Sequence, residues 1–93
     1  MNRAYVFINA QKGMVERVAL TLQERNGVIM VDIMEDQPSV IMVLQAKTRQ
    51  ELAELTVSAI SSVESMTEGL QLMPARSNIN HRAAAMILAS RNN

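Results

Sequence analysis

Apolar residues along the chain recur with two different spacings, one typical of strands and one typical of helices. The segment 3–10, RAYVFINA, is rich in β-forming residues and is followed by the polar QKG, which predicts a first strand. In the segment 14–26, apolar residues recur at i, i+3, i+4 and i+7, and Gly27 follows where a helix would end. This spacing predicts an amphipathic helix whose buried stripe consists of Val15, Val18, Ala19 and Leu22.

The middle of the chain predicts a hairpin and a second helix. Segments 28–34 and 40–46 are rich in β-forming residues, and the residues between them, EDQPS, form turns readily. Thr48 followed by Glu51 is a capping box, and apolar residues continue at helical spacing to about residue 64. Segment 66–73 then predicts a last strand that ends at Pro74.

The predicted order is strand, helix, strand, strand, helix, strand, which is two βαβ halves. Right-handed crossovers fold such a chain into a four-stranded antiparallel sheet with both helices on one face, the α+β ferredoxin-like fold βαββαβ. We expect one domain over residues 1–74 and a C-terminal extension over residues 75–93. In the extension, apolar residues recur at helical spacing at Ile79, Ala83, Met86 and Ile87, which predicts a short third helix. This helix could pack on its own domain or reach a neighbour.

Both faces of the predicted sheet are apolar, although two helices can cover only one of them. The second strand alternates between the sets Ile29, Val31, Ile33 and Val28, Met30, Met34, and the third between Val40, Met42, Leu44 and Ile41, Val43. A second copy packed sheet to sheet is the favoured cover, ahead of the folded-back extension and of an apolar peptide. Because methionine adapts to irregular surfaces, we expect the dimer interface to include Met30, Met34, Met42 and Met73.

The composition of the chain limits the kinds of molecule that it is expected to bind. The 93 residues include nine basic and nine acidic residues and no cysteine. Zero net charge gives no long-range attraction to nucleic acid or anionic membranes, and the lack of cysteine excludes disulfides and thiolate chemistry. The first thirteen residues lack the apolar stretch of a signal peptide, and no segment has the roughly 18 apolar residues of a membrane span. We therefore expect a cytoplasmic protein without direct binding to nucleic acid or membranes.

Residues that could support catalysis are few. His81 lies in the extension, away from any serine and carboxylate pattern of a catalytic triad, and the three glycines form no phosphate-binding loop. Tyr5 and Phe7 could stack RNA bases, but the third strand, VIMVLQA, has no aromatic residue to extend such a platform. The sequence thus predicts no metal site, no cofactor and no catalytic residue, and favours a binding module over an enzyme.

Four stretches carry a resemblance to a known family: RAYVFINAQKG, NGVIMVDIM, VIMVLQAKTRQEL and TVSAISSVESMTEGLQLMP. Together they span residues 3–74, and they resemble stand-alone effector domains of the Lrp/AsnC family of regulators of amino-acid metabolism. The resemblance implies a ferredoxin-like fold, dimerisation through the sheets, possible assembly of dimers into octamers, and binding of amino acids or related small molecules between dimers. It implies a regulatory role without a DNA-binding domain of the chain's own.

By position, the resemblance places the ligand at the hairpin and the entrance of the last strand. The implied ligand-binding residues are Glu35, Asp36, Gln37, Ser39 and Thr67. The family hairpin carries a glycine and then an aspartate, and here Asp36 and Ser39 stand at those positions. Carboxylates and hydroxyls at this place are suited to the ammonium and carboxylate groups of a zwitterion.

Two other classes share this predicted architecture. The order of strands and the segment SVESMTEGLQL also resemble the NapD-like cytoplasmic chaperones, which bind the twin-arginine signal peptide of a periplasmic reductase, and the acidic hairpin would suit an arginine pair. The glycine and basic residue with which that family enters its third strand are absent from QPSVIMV. Dimeric ferredoxin-like monooxygenases need a polar cavity, for which the predicted faces supply only Asp32, Gln45 and Gln71.

Overall fold

The computed structural model describes residues 1–75, and these residues form one four-stranded antiparallel sheet with two helices. The strand order is β2-β3-β1-β4, so that β1 and β3 are central and β2 and β4 are edges. The elements are β1 (Asn2–Ala10), α1 (Val15–Gln23), β2 (Val28–Ile33), β3 (Val40–Ala46), α2 (Arg49–Ser62), a 3-10 turn (Glu64–Met66) and β4 (Thr67–Ala75). This arrangement confirms the predicted ferredoxin-like fold. The predicted third helix and His81 lie outside the described residues.

The ends of the elements follow from local chemistry, with two corrections to the sequence prediction. The backbone N–H of Glu51 donates to Oγ1 of Thr48 at 3.0 Å, so the predicted N-cap of α2 is confirmed. The first helix is shorter than predicted, because the N–H of Arg25 bonds to the carbonyl of Leu22 in a tighter final turn. The last strand does not end before Pro74, because β4 is an edge strand, where a residue without an N–H is tolerated.

The core lies between the helices and one face of the sheet. The central strands contribute alternate residues that are almost fully buried, and both helices pack on them through the predicted apolar stripes. The buried members are Ala4, Val6, Ile8, Val18, Ala19, Leu22, Val40, Met42, Leu44, Ala46, Leu52, Ala59 and Val63. Thr56 is the one buried polar residue in the described part, and its hydroxyl donates to the carbonyl of Leu52 at 2.7 Å. The hydroxyl is thereby satisfied inside the helix.

An irregularity in β2 corrects the predicted assignment of its faces. The register passes from Val28 opposite Leu44 directly to Met30 opposite Val43, so one extra residue is inserted. Simple alternation predicts that Ile29 lies on the same face as Val31 and Ile33. Because of the insertion, Val28 lies on that face instead of Ile29. Ile29 and Met30 therefore both lie on the side away from the helices, beside Val43.

Two glycines with positive φ provide a test of how tightly the α1–β2 connection packs on α2. Gly13 has φ +83° with no atom within 4 Å of an added Cβ, whereas Gly27 has φ +84° and its Cβ would lie 2.7 Å from Cδ1 of Leu55. Because both positions are left-handed, we expect Gly13→Ala to lower the free energy of unfolding by about 1–2 kcal/mol. Gly27→Ala should lower the free energy of unfolding by about 1 kcal/mol more than Gly13→Ala does, because the added Cβ crowds Leu55. Urea denaturation of both variants measures the difference, and equal losses would show that Leu55 moves aside freely.

Candidate functional site

The side of the sheet without helices, here called the open face, is an apolar surface that no other element of the described residues covers. Its members are Tyr5, Phe7, Ile29, Met30, Ile41, Val43 and Met73, with Arg3, Asn9, Asp32, Gln45 and Gln71 around them. Ile29, Met30 and Met73 are 53, 43 and 47% exposed. At one end, Nε of Arg3 donates to Oε1 of Gln45 at 2.8 Å. An apolar centre with a polar rim is the usual composition of a protein interface.

The four methionines predicted for a dimer interface lie in three different places. Met30 and Met73 lie on the open face, as a sheet-to-sheet contact requires. Met34 follows β2 and borders the hairpin. Met42 is fully buried against the helices, which removes it from any such contact. Its neighbour Val43 faces the open side instead, because adjacent strand residues point to opposite faces.

The hairpin between β2 and β3 presents the predicted acidic residues to solvent. The N–H of Met34 donates to the carbonyl of Ser39 at 2.8 Å, which closes the loop. Glu35, Asp36 and Gln37 are exposed and line a shallow depression with Ile33, Met34 and Pro38. Two carboxylates and an amide therefore lie together. Within the described residues, they form no hydrogen bond with one another that would compete with a ligand.

The two predicted hydroxyls brace the end of the sheet. The hydroxyl of Ser39 accepts from the N–H of Ala10 at 2.9 Å and donates to the carbonyl of Ile8 at 3.2 Å. Thr67 pairs with Ala10 from the other side, and its hydroxyl donates to the carbonyl of Val63 at 2.7 Å. Both residues lie at the hairpin end of the sheet, on the two sides of β1, about 10 Å apart from strand spacing. Their donor protons are already used within the fold.

Substitution of Ser39 separates its structural role from a ligand-binding role. We expect Ser39→Ala to lower the free energy of unfolding by about 1–2 kcal/mol, because the N–H of Ala10 and the carbonyl of Ile8 both lose a partner. Ser65→Ala is the control, since Ser65 is exposed. Thermal denaturation of both variants measures the effect. No change in Ser39→Ala would mean that water replaces the hydroxyl fully.

Asn9 is a candidate that the sequence did not indicate. It lies on the open face at the hairpin end, opposite Gly69 on β4. Its amide oxygen is enclosed and accepts no hydrogen bond within the described residues. An enclosed acceptor without a donor costs about 1–3 kcal/mol, so Asn9 lowers the stability of the fold. Only the pairing of strands, which the sequence does not state, brings Asn9 beside Ser39 and Thr67.

A groove runs between α2 and the edge strand β4, here called the α2–β4 groove. It is lined by Val57, Ile60, Ser61, Glu64, Thr67, Glu68, Gly69 and Leu70. Leu70 and Leu72 pair with Ile8 and Val6, which face the core, so they point to the helix side of the sheet. Each is nevertheless 46% exposed, because α2 packs mainly over β3 and β1. The helix layer thus ends before the sheet does.

Volume does not distinguish the three depressions, which measure about 390 Å³ on the open face, 330 Å³ in the α2–β4 groove and 400 Å³ at the hairpin. Their charged residues do, since the open face has Arg3, the α2–β4 groove has Glu64 and Glu68, and the hairpin has the adjacent Glu35 and Asp36. Among the described residues, no group of three or more histidine, cysteine, aspartate or glutamate side chains is placed to hold a metal ion. None of the helices in residues 1–75 is long and apolar enough to cross a membrane.

Comparison with known proteins gives matches in structure alone. No protein-family model matches the sequence, and no curated protein matches it significantly. The structure is similar to TTHA0845 from Thermus thermophilus, with a TM-score of 0.73 and 20% identity, over 87% of this chain and 100% of that protein. It is also similar to the transcriptional regulatory protein PF0864 of Pyrococcus furiosus, a member of the AsnC family, with a TM-score of 0.64 and 19% identity. That match covers 95% of this chain and 59% of the regulator.

A third similar structure comes from another class of protein. It is a protein from Nitrosomonas europaea named as a putative antibiotic biosynthesis monooxygenase, with a TM-score of 0.58 and 13% identity, over 85% of this chain and 100% of that one. Identities this low establish a shared fold and leave function to the residues of the site. The resemblance to Lrp/AsnC effector domains is thus confirmed at the level of the fold.

Proposed function

We propose that this chain is a regulatory module that forms a homodimer through the open face and binds a small amino-acid-like ligand at the hairpin end of the sheet. The observation that supports the proposal is the apolar open face, on which three large side chains are about half exposed in the single chain. The same fold in an AsnC-family regulator is consistent with it. The proposal gives the chain a binding role in the cytoplasm and no catalytic step.

A second copy is a cover of the right shape for this surface. A two-fold axis buries the same patch on both partners, so each apolar side chain counts twice. Full burial of a large aliphatic side chain contributes about 1.5–3 kcal/mol. Because these side chains are only about half exposed, Ile29, Met30 and Met73 from two copies offer roughly 4–9 kcal/mol before the cost of association.

The hairpin end supplies the polar groups that a zwitterion needs. Glu35 and Asp36 are exposed carboxylates that suit an ammonium group, and the amide of Gln37 can donate to a carboxylate. The depression at the hairpin is shallow, so a second dimer would be required to enclose the ligand, which agrees with assembly beyond the dimer.

A thermal-shift screen of the full chain against the amino acids tests the ligand part of the proposal. Binding to the folded state alone stabilises by about 2.7 kcal/mol at a hundredfold excess over Kd. We expect one or a few amino acids to raise Tm, and Glu35→Gln with Asp36→Asn to remove the shift. Glu16→Gln with Glu24→Gln is a matched control on exposed positions of the α1 region. No shift with any amino acid would contradict an amino-acid-like ligand.

Replacement of Asn9 should raise the stability of the protein. Asn9→Leu keeps the approximate volume and removes the enclosed acceptor, so we expect the free energy of unfolding to rise by about 1 kcal/mol. Thermal denaturation measures the change. A less stable variant would show that Asn9 is already paired in solution.

A twin-arginine signal peptide is the second candidate ligand, because acidic residues border the open face on its β2 side. Asp32 lies on that face opposite Ile41, and Glu35 and Asp36 follow in the hairpin. The same thermal-shift assay with such a peptide, and with a copy whose two arginines are alanine, distinguishes the candidates. A shift with the arginine peptide alone would replace the amino-acid ligand by the peptide.

A further inference from the structure

The charges of the chain are divided unevenly between its described part and its C-terminal segment. All nine acidic residues lie in residues 1–75, together with six of the nine basic residues, which gives this part three excess negative charges. Residues 76–93 contain no acidic residue and three arginines, Arg76, Arg82 and Arg91. The zero net charge therefore conceals two oppositely charged parts, which attract each other within one molecule.

The α2–β4 groove is an apolar surface with an acidic border. Val57 and Leu70 of its lining are 63 and 46% exposed. Leu72 lies beyond the lining on the same face of β4, toward residue 75, and is also 46% exposed. Glu64 and Glu68 are the charged residues of the lining. The neighbouring end of the open face instead has Arg3, which pairs with Ala75 across β1 and β4. The open face carries charges of both signs, Arg3 and Asp32, whereas both charged residues of the groove lining are acidic, so a basic segment that leaves β4 is attracted more strongly to the groove.

We infer that residues 76–93 dock in the α2–β4 groove of their own chain and cover the apolar side chains that α2 leaves exposed beside β4. The segment begins where β4 ends, and Leu72 is only about 10 Å back along that strand at about 3.3 Å per residue. A helix of its 18 residues would reach about 27 Å, enough to pass both leucines. Its apolar residues recur at helical spacing, as a helix that lies on such a groove requires. The open face then stays free for a second copy.

Limited trypsin digestion of the full chain tests this placement, because the segment contains its own cleavage sites. The measured quantity is the rate of cleavage after Arg82, compared with that of a synthetic peptide of residues 76–93. Docking should slow this cleavage about tenfold or more, since a protease acts on the opened state. Leu72→Ser should restore much of the peptide's rate. Leu20→Ser is the control, because Leu20 is also a large exposed apolar residue, at 63%, and lies on α1, outside both the groove and the open face.

A second variant tests the charge argument without touching an apolar side chain. The double variant Glu64→Gln and Glu68→Gln should be cleaved severalfold faster than the wild type. Added salt should also speed cleavage of the wild type, because it screens the same attraction. Three results would overturn the inference. They are cleavage in the wild type as fast as in the peptide, faster cleavage in Leu20→Ser but not in Leu72→Ser, and protection that grows with protein concentration, which would assign the groove to a second copy. None of these readouts requires that the open face forms a dimer.

Discussion

Met30→Lys is expected to convert the protein from dimer to monomer at micromolar concentration. Met30 lies on the open face beside Val43 and is 43% exposed in the single chain, so a lysine there can reach solvent in the monomer. In the proposed dimer the same ammonium group would be buried without a partner, which costs several kcal/mol. A loss of about 2.7 kcal/mol corresponds to a Kd about a hundredfold weaker. Size-exclusion chromatography with light scattering over a range of concentrations measures the change.

Leu20→Lys is the control for this experiment. Leu20 is also a large exposed apolar residue, at 63%, but it lies on α1, on the other side of the sheet from the open face. Its substitution should leave the mass in solution unchanged. If Leu20→Lys dissociates the oligomer and Met30→Lys does not, the interface lies on the helix side, and the proposed contact is wrong.

Leu22→Ala is expected to lower the free energy of unfolding by about 2–5 kcal/mol, the largest loss among the stability predictions. Leu22 is fully buried on α1 and belongs to the core cluster that joins this helix to β1 and β3. Its truncation leaves a cavity that the surrounding strands cannot close without shifting. For a domain of this size the total stability is itself about 5–15 kcal/mol, so the variant should be partly unfolded at moderate temperature.

Leu20→Ala provides the comparison within the same helix and with the same chemical change. Because Leu20 is exposed, we expect its free energy of unfolding to change by no more than about 0.5 kcal/mol. Urea denaturation of the two variants, run under identical conditions, gives the difference directly. Similar losses in both would show that the face of α1 carrying Leu20 is covered in solution, by residues 76–93 or by another molecule.

The fold was predictable because its helices and strands have clear periodicities. The stripe of Val18, Ala19 and Leu22 and the cap at Thr48 are local signals, and the structure confirms them. The faces of β2 were not predictable in the same way. The inserted residue after Val28 reverses the alternation, and a bulge of this kind depends on the pairing with β3.

The candidate site was predictable only in part, since it is built from strand pairing and from hydrogen bonds over long distances in sequence. The sequence placed Glu35, Asp36 and Gln37 correctly together, because they are consecutive in one loop. It could not show that the hydroxyl of Ser39 is bound to β1, or that the amide oxygen of Asn9 is enclosed without a donor. Such contacts join residues about thirty positions apart and follow from the register of β1 and β3.

Sedimentation equilibrium of the full chain is the measurement that tests the central claim most directly. The chain has a mass of 10.3 kDa, so a dimer through the open face predicts 20.6 kDa, or a multiple of it if dimers assemble further. The proposal predicts such a mass at micromolar concentration, with a shift to 10.3 kDa in Met30→Lys. A wild-type mass of 10.3 kDa at high micromolar concentration would contradict the account, because the open face would then be exposed in the native protein.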